Sequence, residues 1–71
     1  MATNIEAEMV ANVWKVLVRA GSEVAEGDPL VILESMKMEI PVEAPTGGIV
    51  SAVHVIEGGV VQEGDVIAVI D

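Results

Sequence analysis

Seventy-one residues suffice for one small domain, and a chain of this size buries only roughly 60% of the surface it exposes when unfolded, so a deep catalytic cleft has no room. There is no Cys, hence no disulfide and no thiolate metal site, and a cytoplasmic setting is the expectation. A net charge of −9, with only Lys15, Arg19 and Lys37 positive, argues against nucleic acid or an anionic membrane as partner and for a monomer held apart from its copies.

The longest apolar runs, such as Leu30 to Leu33 and Ile67 to Ile70, are far short of the ~20 residues that cross a bilayer, so no membrane segment is expected. Met1 is followed by polar residues without the pattern of a secretion signal. That reads as a cytoplasmic start.

From the N-terminus, Ile5, Met9, Val13 and Leu17 fall at helical spacing within a stretch free of Gly and Pro, so an amphipathic helix competes for residues 1–20. An internal repeat rejects it. Sliding the chain by 37 places aligns 4–34 with 41–71 without a gap and makes ten positions identical, among them Glu26-Gly27-Asp28 on Glu63-Gly64-Asp65 and Gly21 on Gly58. The segment equivalent to the candidate helix carries Pro41, Pro45, Gly47 and Gly48, which a helix interior does not tolerate.

Short strands separated by glycine turns fit better, because 14 Val and 7 Ile are stiff at χ1 and suit a pleated surface. The expected strands are 4–8, 12–18, 30–35, 38–43, 49–55 and 66–70, with brief extended pieces near Val24 and Val61. Gly21 and Gly58 end strands, and the Glu-Gly-Asp turns place Gly27 and Gly64 at positive φ. The fold class is therefore all-β: a flattened sandwich or barrel of two small antiparallel sheets, duplicated about a pseudo-two-fold axis. One domain spans 1–71, with repeats 4–34 and 41–71.

Leu30 to Leu33 reads as a strand covered on both faces, leading into the only covalent link between the halves, Ser35 to Ile40. That link should be a tight hairpin, placing Lys37 at the pole opposite the chain ends. Yet it lacks the Gly, Asn or Asp that positive φ favours and has Met36 and Met38 instead. Either strain is retained there for function, or the loop is wider.

With Glu34-Ser35-Met36-Lys37-Met38-Glu39 at its centre and Ala44-Pro45 and Gly48 in the following turn, the chain resembles the biotin carboxyl carrier and biotin/lipoyl attachment domains over nearly its whole length. The resemblance is nearest to small free-standing attachment proteins, and a free-standing protein is expected. It implies that Lys37 carries covalent biotin, flanked by Met36 and Met38 as recognition residues. Lipoyl domains more often show Asp-Lys-Ala at this point, so biotin is preferred to lipoate. The implied partners are a biotin protein ligase, which activates biotin as its adenylate, and the biotin carboxylase and carboxyltransferase subunits between which a carboxyl group is carried. The chain is then a ligase substrate and not an enzyme.

The residues alone support an amine on a flexible stem as an acyl acceptor, although most surface lysines merely solvate. By pattern alone Met36 and Met38 read first as apolar tips covering the sheet end; the functional reading is an adaptable docking surface, and the two are compatible. Glu34 and Glu39 either orient partners or solvate the hairpin. Trp14, aligned with Ser51, reads as core or as a half-exposed patch, and His54 has no companion at metal or triad spacing. A lipoyl carrier and an unmodified interaction module are the alternatives; an enzyme is remote because no acid, base and nucleophile converge.

Overall fold

A computed structural model describes residues 2–71; Met1, which opens the expected 1–71 unit, lies outside them. The described residues form eight strands and no helix: β1 (Thr3–Glu6), β2 (Ala11–Val16), β3 (Glu23–Val24), β4 (Pro29–Ser35), β5 (Met38–Glu43), β6 (Gly48–Val53), β7 (Val60–Val61) and β8 (Val66–Ile70). They make two four-stranded antiparallel sheets, ordered β1-β8-β6-β3 and β5-β4-β2-β7.

Each pairing in one sheet has its counterpart 37 places along in the other. Leu33 faces Ile40 as Ile70 faces Thr3, and Val13 faces Leu33 as Val50 faces Ile70. The irregularities correspond too, since the bulge in β2 at Trp14 answers the bulge in β6 at Ser51. Turn contacts follow the same rule. Gly27 N–H donates to the Ala44 carbonyl at 2.8 Å and Gly64 N–H to the Ala7 carbonyl at 2.9 Å. Within each turn the aspartate carboxylate accepts from the backbone three residues earlier, Asp28 from Ala25 at 2.9 Å and Asp65 from Gln62 at 2.8 Å.

Two strands are shorter than their apolar patterns imply. Alternation continues through Val18 and Val55, which pack against the core, but the ladders stop at Val16 and Val53. Gly21 and Gly58 therefore lie beyond the strand ends, in turns, with φ of 97° and 87°. The first strand likewise stops at Glu6, opposite Val66 where its partner β8 begins; beyond it Ala7 N–H donates to the Asp65 carbonyl and the Ala7 carbonyl accepts from Gly64 N–H, contacts to the turn that precedes β8.

The interior divides into two apolar clusters. Val13, Val31, Leu33, Val61 and Ile67 centre the first, with Ile40 packed against it; Ile5, Val24, Leu30, Val50 and Ile70 centre the second. Full burial of Leu30, Ile67 and Ile70 contributes about 1.5–3 kcal/mol each. The β4–β5 hairpin rises from the first cluster and the paired chain ends, Thr3 and Ile70, lie over the second. The molecule is 33 Å long and 18 × 17 Å across.

Candidate functional site

Strand β4 lies between β5 and β2, and Leu30, Val31 and Leu33 are buried, so the approach to the turn is anchored. Ser35 pairs directly with Met38, which leaves only Met36 and Lys37 to reverse the chain. The turn is tight, and no wider loop relieves it. Their φ values of 52° and 64° are the sign pattern of a type I′ turn, adopted without the Gly or Asn that normally supplies it. By the alternation of antiparallel ladders, Ile32 and Pro41 do not exchange hydrogen bonds, so the N–H that Pro41 lacks would have faced the open edge of β5.

This geometry leaves Lys37 exposed at the tip, between Met36 at 93% and Met38 at 65% exposure. Glu34 and Glu39 stand directly opposite each other below the turn, both exposed, an arrangement of like charges that destabilises the pair. Ala44 is buried under the Gly27 turn, to which Ala44 N–H donates through the Asp28 carbonyl at 2.8 Å. Gly48 opens β6, where an added Cβ would run into the Asp71 carbonyl oxygen; the Ala-Pro-Thr-Gly connection thus closes against the C-terminus and not against Lys37.

Trp14 sits at the β2 bulge and is 43% exposed, with the Lys15 ammonium 5.5 Å from its ring centroid. It is the half-exposed patch of the two readings. His54 is exposed, and its backbone N–H donates to the Ile67 carbonyl at 2.8 Å. No local pattern in the sequence marks Glu57, whose carboxylate accepts from Val16 N–H at 3.0 Å across the two halves. Forty-one residues separate the partners, and Ala20 at the equivalent position has no carboxyl to suggest such a bond.

Residues 1–70 match the family described as "Biotin-requiring enzyme". The chain belongs to the biotin/lipoyl attachment family. It is 57% identical over 70 residues to the "Biotinylated protein TB7.3 homolog" of Mycobacterium leprae, covering 99% of each chain. It is 49% identical over 63 residues to the "Biotin/lipoyl attachment protein" of Bacillus subtilis, covering 89% of this chain and 86% of that one. Among solved structures, the urea carboxylase of Kluyveromyces lactis contains a region that superposes with a TM-score of 0.92 at 34% identity; all of this chain is covered but only 6% of that one.

Proposed function

We propose that this protein is a biotin carboxyl carrier whose acceptor is Lys37, with Met36 and Met38 as its flanking recognition residues. Residues 1–71 act as one attachment unit built from halves 4–34 and 41–71. The observation that carries the proposal is the placement of Lys37 at the tip of a two-residue turn, exposed and flanked by two exposed thioethers. An acceptor amine must enter another protein's active site, and a narrow hairpin rooted in a packed sheet presents it without the backbone yielding. Those residues fit the group that the family attaches.

Lys37 acts through Nζ. Deprotonated by a base that the ligase supplies, it attacks an activated acyl carbon; the amide bond forms and the leaving group departs. The chain is a substrate and not a catalyst. Biotin bound there supplies a ureido ring that carries a carboxyl group between a biotin carboxylase and a carboxyltransferase. The hairpin and lysine stem keep that cargo at high effective concentration near both active sites. The carrier works in the cytoplasm as a monomer that meets its ligase and carboxylase subunits in turn, with its acidity limiting self-association.

Lipoate is the alternative acyl group, favoured by the likeness to the Bacillus subtilis protein. The test uses apo-protein with purified biotin ligase or lipoate ligase, read by intact mass and avidin blot. One biotin is expected on the wild type and none on Lys37→Arg, which keeps the charge but cannot form the amide, with the unfolding midpoint unchanged. Biotin on Lys15 of the variant, or lipoate in preference to biotin, would overturn the proposal.

A further inference from the structure

We propose that the Met36 and Met38 thioethers form an oxidation site for hydroperoxides, and that their conversion to sulfoxides withdraws Lys37 from its ligase; this rests on Lys37 being the acceptor. Methionine is usually an interior residue, and these two are not. Met36 is 93% exposed and Met38 65%, against 40% for Met9, which lines the depression between β1 and β5 beside Ile5 and Ile40. The exposure follows from the backbone. A two-residue turn at positive φ has no neighbouring strand beyond it, and Ser35, the partner of Met38, is too short to cover a thioether.

The chain has no Cys to intercept an oxidant, so its soft, readily oxidised atoms are the methionine sulfurs. A sulfur lone pair attacks one oxygen of the hydroperoxide. The S–O bond forms, the O–O bond breaks, and water or an alcohol leaves with the remaining oxygen. Sulfur is oxidised by two electrons and the peroxide is reduced. No core side chain is involved, so the fold is unchanged, whereas the surface offered to a ligase is transformed: an apolar, adaptable chain on either side of the acceptor becomes a strong hydrogen-bond acceptor that must be desolvated. Sulfoxides at so open a turn are equally open to methionine sulfoxide reductases, one for each epimer, which take two electrons from a thiol pair, oxidise it to a disulfide, release the oxygen as water and so make the block reversible.

The experiment treats apo-protein with hydrogen peroxide, removes the peroxide with catalase, maps the added oxygen by peptide mass, and measures unfolding midpoint and initial ligation rate. Met36 and Met38 should oxidise before Met9, the midpoint should hold, and ligation should slow by about tenfold, the scale of losing one well-buried apolar contact. The two epimer-specific methionine sulfoxide reductases together, with dithiothreitol as reductant, should restore the rate, and a Met36→Leu, Met38→Leu variant should keep its own untreated rate, whatever its value, after peroxide. An undiminished rate in the doubly oxidised protein overturns the inference alone. So does a loss that the paired reductases fail to reverse, or an equal fractional loss in the leucine variant. Failure of the untreated protein to accept biotin at Lys37 overturns both the inference and the function it rests on.

Discussion

At Met36 and Lys37 the backbone occupies the left-handed region, which costs an L-residue about 1–2 kcal/mol. Asn tolerates that region, so Met36→Asn should stabilise the protein by about 1 kcal/mol, read as a higher urea midpoint, while removing one flanking thioether and slowing ligation. An unchanged midpoint would mean that the turn stores no strain. Gly27 and Gly64, at φ of 91° and 90°, give a second test at this scale. An added Cβ meets nothing within 4 Å at either, so the positive φ is the cost that Gly27→Val and Gly64→Val share, and the two should lose similar stability, more than about 1 kcal/mol each. A neutral outcome at one site would contradict the equivalence of the turns. The residue types announced those glycines. They also mark the hairpin anomaly, but the same residues fit a wider loop; only the direct Ser35–Met38 pairing shows that two residues reverse the chain.

Among elements, the β4–β5 hairpin has an unfavourable step in Glu34 facing Glu39. Replacing Glu39 with Thr should stabilise the hairpin by roughly 0.2–1 kcal/mol, measured as a shift in thermal midpoint that shrinks at high salt. A destabilised variant would mean that the two carboxylates are not in repulsive contact. Strand β6 has a different constraint. Gly48→Ala should be more damaging than the same change at Gly27, since its Cβ would meet both the Asp71 carbonyl and the Ile70 side chain. This contact was illegible in the sequence, where Gly48 aligns with Ala11, a residue that carries a Cβ without difficulty. Valine alternation likewise located β2 and β6 but overran their ends, because side chains keep packing after the backbone has left the ladder.

Over the whole molecule, two sheets related by a shift of 37 residues enclose two matching clusters, and the two ends differ in how the strands are connected. One end closes through Met36 and Lys37; the other is where Thr3 and Ile70 meet as separate chain ends. The overall plan was legible because turn residues and valines recur in register. The asymmetric parts, such as the Glu57 bond to Val16 and the exposure of Trp14 at its bulge, depend on tertiary placement that no local pattern encodes. The measurement that tests the carrier role most directly is transfer of labelled carbon from bicarbonate to the ligase-treated protein by a biotin carboxylase with ATP. Label is expected on the wild type and absent from Lys37→Arg; label retained by that variant, or a biotinylated wild type that takes up none, would contradict the account.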